Sequence, residues 1–487
     1  MYNISLNDME LTFNSLEEKI YKFVCDSACE LMEEVLKVLD RKLLNSRDSK
    51  VYRNRGMRKN TIKTIMGNIE YERHIYEYKT AEGKKAYKFL LDEYLQMDTI
   101  GKISTNLAEK IFDNIDELSY RKTASNIEKS CNQNISHMAV WNLVQRLGSK
   151  IKEKEKRSVK LLENGQITGK KEVDVLFQEQ DGIWLYMQRN DRPKNSKSKK
   201  RELKLSITYE GWKKRQNGNG YEVINKIACA GFENSRNFKK ISDAKIAQIY
   251  NIDEIKTRII NGDGAKWIKA SIGEEGVYYQ LDPFHKSQAI LRALENKKEA
   301  KYLIKLVTNG KMEESFNYIK KLMIKYNDDE KKFKKIEALY TYFDNNRAGL
   351  IPYHLRKDIN LPKPPKGVEY RHLGTMEHNI CDILAHRMKG RKMSWSIAGA
   401  NNLAKVLSEK VNKKIYSLIE EFGNQIISED KLKSIEEAVI LTAANVNKKP
   451  KKSNIYPIRH GKMPFEGSAM SNWMKGLRRY IDGSINL

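Results

Sequence analysis

The stretch VDVLFQEQDGIWLYM, residues 173–187, follows the charged segment IKEKEKRSVK and is rich in residues that favour β-strands. Residues 203–209 and 221–230 continue the strand-like pattern, and turns rich in Lys, Asn and Gly separate them. Three consecutive strands of this kind predict an antiparallel meander.

Downstream of the meander, strand and helix patterns alternate. We expect a helix over residues 238–250, a strand over 256–260, a short helix over 265–270 and a strand over 276–281. This order predicts a ribonuclease-H-like sheet, an α/β fold. Residues 285–342 have helical periodicity, many Lys and Glu and no strand-like run, so we expect a helical insertion.

The N-terminal part is mainly helical in pattern. Residues 15–44 predict a long amphipathic helix, and residues 61–78 predict a β-hairpin around Gly67 and Asn68. Residues 118–148 predict two helices joined by a polar turn, which fits a helix-turn-helix or an ordinary helical hairpin. In a helix-turn-helix, the second helix would offer these side chains to the DNA major groove: His137, Asn142, Gln145 and Arg146.

These patterns divide the chain into regions. A Pro-rich break at 361–367 ends the helical insertion, and the chain from residue 447 is basic and interrupted by Pro. The predicted regions are an N-terminal helix and hairpin region (1–116), a helix-turn-helix DNA-binding region (117–160), a first part of the catalytic core (161–284), the helical insertion (285–366), a second part of the core (367–446) and a basic C-terminal tail (447–487).

Composition indicates the class of partner. The chain has 90 Lys and Arg against 63 Asp and Glu, a formal net charge of +27 and a sequence pI of about 9.5. Such an excess attracts polyanions, so double-stranded DNA is the expected partner, although a generally Lys-rich composition is an alternative. The sequence contains neither a long apolar run nor a signal-peptide pattern, which predicts a cytoplasmic protein without a membrane partner.

Chemistry on DNA phosphates needs charge compensation, which two divalent metal ions held by carboxylates can supply. Mg²⁺ or Mn²⁺ suits such hard oxygen ligands. Asp181 and Asp263 are candidate ligands because each lies beside Gly at a strand-like segment. An Asp-Gly turn is the alternative explanation for each of them.

A third acid is expected from a helix beside the sheet. Glu377 lies near the start of a predicted helix, with Thr375 as a candidate cap. A solvated helix glutamate is the alternative. The neighbouring His372, His378, Cys381 and His386 raise zinc binding as a rival, but their spacing gives no tetrahedral set.

Several long segments resemble the transposases of ISLre-type insertion sequences, bacterial relatives of the Mutator superfamily. They are DGIWLYM, NGDGAKWI, LDPFHKSQAI, GTMEHNICDILAHRMKGRKMSWSIAGANNLAK, ELSYRKTA and ISHMAVWNLVQRLG. The resemblance implies a DDE-type catalytic domain with a helical insertion before its glutamate, and it places the triad on Asp181, Asp263 and Glu377. Choosing Asp174 or Glu179 as the first acid would weaken this assignment.

The same superfamily has a motif of Cys or Asp, two residues and His, which Asp282 and His285 match. The resemblance implies a place in the active site, whereas local capping of a helix is the alternative. A basic stretch also follows the Glu377 helix. It could grip DNA and, through its Trp, stack on an unpaired base, or it could be a solvated helix end with a buried Trp: Arg387, Lys389, Arg391, Lys392 and Trp395.

We therefore expect a DDE transposase that cuts DNA at transposon ends and joins the freed 3′-hydroxyl to target DNA. Pairing two ends predicts a homo-oligomer. Two alternatives stay open: a non-catalytic or domesticated DNA-binding protein, and a structure-selective nuclease on the same fold.

Overall fold

The computed structural model describes residues 12–95, 102–194, 198–216, 218–390, 392–421, 437–440 and 442. The chain divides into two compact units. Unit 1 takes its described residues from Met1–Asp113, Tyr120–Val140 and Ile419–Leu487, and unit 2 from Asn114–Ser119 and Trp141–Leu418. The predicted region 117–160 is therefore shared between the two units.

Unit 1 combines helices with a three-stranded antiparallel sheet in the order β1-β2-β3. The predicted long helix and hairpin are both confirmed, and the hairpin gains a third strand. Apolar residues of α1 pack on the sheet, with Leu36, Leu39, Ile69 and Tyr71 among the buried residues. The elements are α1 (Phe13–Ser46), β1 (Arg53–Lys63), β2 (Asn68–Lys79), β3 (Lys85–Lys88), α2 (Leu90–Leu95), α3 (Thr105–Asp113) and α4 (Tyr120–Ser130).

The two helices predicted within residues 118–148 are present. The first is α4, and the second is α5 (His137–Glu163), which begins directly after Ser136. The Ser136 hydroxyl accepts a hydrogen bond from the Ala139 N–H at 3.1 Å, which caps the helix. Because α5 begins in unit 1 and continues in unit 2, the helix-turn-helix stays a prediction.

Unit 2 contains a larger sheet with helices. Its elements after α5 are β4 (Val175–Tyr186), β5 (Lys200–Tyr209), β6 (Trp212–Lys214), β7 (Tyr221–Val223), β8 (Ile227–Gly231), α6 (Ser235–Ala247), β9 (Thr257–Gly262), β10 (Val277–Leu281), α7 (Pro283–Ala293), α8 (Lys297–Thr308), α9 (Met312–Lys325), α10 (Glu330–Asn345), α11 (Met376–Ile380), α12 (His386–Met388), α13 (Ile397–Val411) and α14 (Ile415–Glu420). The end of α14, from Ile419, belongs to unit 1.

The described strands form a five-stranded sheet in the order β10-β9-β4-β5-β8. The strands β4, β5 and β8 are antiparallel neighbours, while β9 and β10 run parallel to β4. The strand predicted over 221–230 is wrong as one element, because the chain breaks at Asn225, whose φ is 52°. Its first part pairs with β6 as a separate ribbon, and only its second part joins the main sheet as β8.

Helices pack against this sheet and form the helical stretch predicted over 285–342. Their apolar faces share a core with β9, β10 and α6, which includes Phe238, Ile260, Leu281 and Phe343. The helix predicted over 265–270 is wrong in type and extent, since a short 3₁₀ turn spans Ile268–Ser271. Among the described residues, no helix has both the length and the apolar character needed to cross a membrane.

A cluster of buried charges joins α5, α6 and α13 to β8. The Lys405 ammonium lies 2.5 Å from a Glu155 carboxylate oxygen and 3.1 Å from Glu233. The Lys245 ammonium contacts the opposite oxygen of Glu155 at 3.1 Å and also pairs with Glu409. Since each charge is paired, the helices stay fixed against the sheet without an isolated buried ion.

Lys405→Met tests this cluster. The substitution leaves Glu155 and Glu233 short of positive charge in a buried place, so we expect the free energy of unfolding to fall by about 3 kcal/mol or more. Urea denaturation followed by circular dichroism measures it. The matched control is Lys334→Met, which removes the exposed pair with Glu330 and should cost less than about 1 kcal/mol. Equal losses in both variants would contradict a structural role for the buried cluster.

Candidate active site

Three aspartates stand at the level where three neighbouring parallel strands stop pairing with one another. The strands β4 and β9 pair as far as Gln180 and Gly262, and β9 and β10 pair as far as Gly262 and Leu281. The next residue of each strand is an acid: Asp181, Asp263 and Asp282. The carboxyl ends of parallel strands are where α/β sheets bind ligands, so the register alone gathers these carboxyl groups at one edge.

Asp181 does not lie in a turn, which excludes the Asp-Gly turn as the reason for its place. It pairs with Leu205 inside β4, the central strand, and β4 continues to Tyr186. One of its carboxylate oxygens lies 3.4 Å from Nε2 of His285 on α7. This contact raises the pKa of His285 above its ordinary value, although burial opposes the shift. The structure therefore brings His285 to the first acid of the predicted triad.

Asp263 lies in a tight turn directly after β9, as the Asp-Gly pattern suggested. Its carboxylate accepts a hydrogen bond from the Ala265 N–H at 2.9 Å. Gly264 has a φ of +93°, and a Cβ at this position would collide with the Asn346 side chain. Burial raises the pKa of the Asp263 carboxyl, and the negative charge of Asp181 adds to the shift. The two acids are therefore electrostatic neighbours.

Asp282 is 3% exposed and is used as a helix cap. One of its oxygens accepts hydrogen bonds from the N–H groups of Phe284 at 2.8 Å and His285 at 3.2 Å. Its other oxygen accepts a bond from the Asn261 amide at 2.6 Å. Both oxygens thus have protein partners. The structure gives Asp282 the capping role that we considered as the alternative, while its helix delivers His285 to Asp181.

Glu377 is exposed in the first turn of α11. It borders a small cleft together with Asp181, Asp282 and His285. Thr375 stands at the start of α11 but makes no capping bond through its side chain, contrary to expectation. A π-helical turn, Cys381–Ala385, follows α11, a feature that is frequent at functional sites. The third predicted acid therefore faces the same cleft as the first.

The rival first acids do not border this cleft. Asp174 lies at the start of the segment and forms an ion pair with Lys256 at 2.7 Å. Glu179 is fully buried and accepts a hydrogen bond from the Tyr209 hydroxyl at 2.6 Å. Burial raises the pKa of the Glu179 carboxyl. Of the three candidates on this segment, Asp181 is the one that borders the cleft with Glu377.

Sequence reasoning missed Glu202, a further acid near the cluster. Its carboxylate accepts a hydrogen bond from the Trp267 indole N–H at 3.1 Å. Burial raises the pKa of Glu202, and the charges of Asp263 and Asp181 contribute to the shift. Glu202 reaches across Gly182, where any Cβ would collide with it. This explains the glycine after Asp181, but only the strand pairing brings Glu202 there.

The candidate acids fit a divalent cation in their chemistry. Carboxylate oxygens are the ligands that Mg²⁺ and Mn²⁺ prefer, and a cation would relieve the crowded negative charge around Asp263. Within the described part of the chain, no three His, Cys, Asp or Glu side chains are already gathered closely enough to hold an ion. Asp263 lies close enough to Asp181 for the charge of one to act on the other, and Glu377 borders the cleft with Asp181.

Two residues of the rival zinc site, His372 and His378, have other partners. His378 pairs with Asp382 at 2.8 Å within one helix turn. The His372 ring packs edge-on against His354, with 4.5 Å between ring centroids. These contacts give no support to a zinc site.

The basic stretch after Glu377 separates into exposed and buried residues. Lys389 and Lys392 are exposed and available to DNA. Arg387 is 4% exposed and donates a hydrogen bond to the Ile115 carbonyl at 2.8 Å. The Trp395 indole is buried and donates to the Met388 carbonyl at 3.0 Å. DNA gripping by Arg387 and base stacking by Trp395 thus lack an exposed surface. Arg391 and residues 447–487 lie outside the described residues.

The four α5 residues predicted to face the DNA groove also differ in exposure. His137, Asn142 and Arg146 are exposed. Gln145 is half-buried, and its side-chain oxygen accepts a hydrogen bond from the Asn402 amide at 2.7 Å, so it has a packing role within unit 2. The exposed three remain candidates for contact with DNA.

The variant Asp263→Asn tests whether Asp263 binds a cation or serves only the fold. A raised carboxyl pKa means that the charged form destabilises the fold at neutral pH, so the neutral variant should melt at a higher temperature than the wild type without metal. Mn²⁺ at about a hundredfold excess over its Kd should stabilise the wild type by about 2.7 kcal/mol and the variant by much less. Thermal denaturation with and without Mn²⁺ measures both effects.

The control variant is Asp174→Asn, which removes a surface acid of the same segment. It should keep the full stabilisation by Mn²⁺. If Asp263→Asn keeps it as well, Asp263 does not bind the ion.

Comparison with known proteins places the chain in a sequence family. The profile described as "Uncharacterised protein family (UPF0236)" matches residues 6–420. A UPF0236 protein of Caldanaerobacter subterraneus subsp. tengcongensis is 25% identical over 414 residues, 80% of this chain and 79% of the relative. Its name joins eleven designations. A second protein of that organism, whose name joins four designations, is 26% identical over 365 residues, 72% of this chain and 67% of the relative.

A relative from another organism is the UPF0236 protein in the vanSb 3′ region of Streptococcus gallolyticus. It is 21% identical over 406 residues, which cover 82% of this chain and 83% of the relative. These names state no activity.

Proposed function

We propose that this chain, which belongs to the uncharacterised protein family UPF0236, is a DDE transposase of an insertion sequence. Its catalytic domain would be ribonuclease-H-like, cutting DNA at transposon ends and joining it to a target. The observation that carries the proposal is the gathering of Asp181, Asp263, His285 and Glu377 around one sheet edge. The strand order supports the fold assignment, because three antiparallel strands are extended by two strands parallel to the first.

In this proposal each residue has a defined task. Asp181, Asp263 and Glu377 would hold two Mg²⁺ or Mn²⁺ ions, which supply positive charge to the attacking and leaving oxygens. His285 lies within reach of Asp181 and would orient that carboxylate or contact the phosphate.

The reaction would have two steps, hydrolysis at the transposon end and transfer of the freed strand to the target. A water oxygen attacks phosphorus, and the bond to the 3′-oxygen breaks to free a 3′-hydroxyl. That hydroxyl then attacks a target phosphate and displaces its 3′-oxygen, so no external energy source is required.

Charge and surface chemistry support DNA as the substrate. The formal net charge is +27, and phosphate contacts by Lys and Arg supply most of the affinity of proteins for DNA. Lys389 and Lys392, which follow the Glu377 helix, are exposed. A helix-turn-helix made of α4 and α5 would add recognition of the transposon end through His137, Asn142 and Arg146. The protein would act in the cytoplasm on bacterial DNA, as a homo-oligomer that pairs two ends.

The names of the relatives support a mobile element. One name joins eleven designations from a single organism and another joins four. If each designation marks one gene, the same protein is encoded many times in that genome. Multiple copies are expected for a gene that its own product moves, and they are unusual for a single-purpose nuclease.

Cleavage of a labelled duplex carrying the terminal sequence of the encoding element tests the proposal. With Mg²⁺ or Mn²⁺, the wild type should nick at the boundary of the repeat. Asp263→Ala should lower the rate on the order of a thousandfold or more, because it removes a carboxylate from the reacting centre. Its DNA affinity should change less than about threefold, since affinity comes from Lys and Arg. Asp174→Ala is the matched control and should cut like the wild type.

Three other outcomes would point elsewhere. Equal binding without cutting by wild type and variant would favour a non-catalytic DNA-binding protein. Cutting without strand joining would favour a structure-selective nuclease. Cutting that survives Asp263→Ala would reject the assigned triad.

A further inference from the structure

A second row of polar residues lies beneath the aspartates. Glu179, Asn261 and Gln280 are paired across β4, β9 and β10, two residues before each aspartate, so they share the face that the acids occupy. They are 0%, 0% and 2% exposed. The Asn261 amide nitrogen donates to Glu179 at 2.9 Å and to Asp282 at 2.6 Å, and Gln280 donates to Asn261 at 3.4 Å. This buried row therefore lies directly behind the three aspartates and is hydrogen-bonded to one of them, Asp282.

Glu179 also holds the segment that leads into the Glu377 helix. One of its oxygens accepts hydrogen bonds from the N–H of Gly374 at 2.9 Å and of Thr375 at 3.1 Å. Its other oxygen accepts bonds from the hydroxyl groups of Thr375 and Tyr209. The Thr375 hydroxyl also accepts a hydrogen bond from the Asn379 amide at 3.2 Å, and it makes no capping bond to the backbone of α11. Glu377 lies only two residues after Thr375, which Glu179 holds.

Burying the Glu179 carboxylate costs free energy, which makes a purely structural role for it unfavourable. Among the described residues, no Lys, Arg or His forms an ion pair with Glu179, although the side chain is fully buried. Burying a charge without a counter-ion is expensive, and only several hydrogen bonds make it tolerable. The donors to Glu179 are Gly374 and Thr375, which precede the Glu377 helix, Asn261 on β9 and Tyr209 on β5. A single carboxylate with two oxygens can accept all of them, which an apolar residue cannot.

We infer that Glu179 is a positioning residue, which fixes the Glu377 helix relative to Asp181 and Asp263 by clamping Gly374 and Thr375 to the central strand. This inference rests on the proposed function, because it gives Glu377 a task at the acidic cluster. Gly374 has a φ of +135°, and a Cβ there would meet nothing within 4 Å. Without the clamp, this open glycine gives the segment many conformations. Glu377 would then lose its fixed approach to the cleft.

Mn²⁺ binding to the full chain without DNA tests the inference, measured by electron paramagnetic resonance of the free ion. Glu179→Leu removes every acceptor and should weaken binding about tenfold, a loss usual for residues that orient metal ligands. Glu179→Gln keeps one oxygen for the N–H groups and should restore affinity to within about threefold. Circular dichroism and thermal denaturation establish that each variant is folded.

A double-mutant cycle separates positioning from general damage. If Glu179 acts through Glu377, Glu179→Leu should weaken Mn²⁺ binding by less than about twofold when Glu377→Gln is already present. Equal losses in both backgrounds, or no loss in either, would overturn the inference.

A milder variant keeps the test valid if Glu179→Leu does not fold. Thr375→Val removes the hydroxyl that donates to Glu179 and accepts from the Asn379 amide, and Thr375→Ser retains it as the matched control. Thr375→Val should weaken Mn²⁺ binding severalfold and Thr375→Ser should not, and equal affinities would overturn the clamp. Mn²⁺ binding that follows these expectations without DNA cleavage would reject the proposed function alone. A wild type that binds no Mn²⁺ would reject both.

Discussion

The parallel register of β4, β9 and β10 is the constraint on which the candidate site depends. Because the three strands stop pairing at the same level, their next residues come together without help from any loop. Burial raises the pKa of Asp263, and the negative charge of Asp181 adds to the shift, so two charged acids at this edge repel one another. An edge that costs stability in this way fits the cation site that we propose.

Two buried polar systems lie in the unit that carries this edge. The row of Glu179, Asn261 and Gln280 supports the acids from below through hydrogen bonds. The buried cluster around Lys405 and Lys245 fixes helices against the sheet through ion pairs. The first system contains no paired cation among the described residues and the second is fully charge-paired. This contrast suggests that the hydrogen-bonded row serves the site, while the ion cluster serves the fold.

The sequence predicted the elements that follow from apolar periodicity. It did not predict positions that depend on contacts with residues far away in the chain. The segments around residues 175–186 and 200–209, and the helices beyond residue 283, follow their patterns of apolar residues. The pairing of strands made Asp181 central instead of a turn residue, and it brought Glu202 to the cluster. Arg387 and Trp395 looked available for DNA, but tertiary contacts bury both. Nothing in local sequence distinguishes the fully buried Glu179 from the partly exposed Asp181, two residues apart on one strand.

The most direct test of the cation site is a crystal structure of the protein grown with Mn²⁺, with anomalous scattering measured to locate the ion. The account predicts anomalous peaks beside Asp181 within β4 and Asp263 directly after β9, bound by these two acids, with Glu377 turned towards them. An empty cleft at saturating Mn²⁺, or ions held only by other residues, would contradict it.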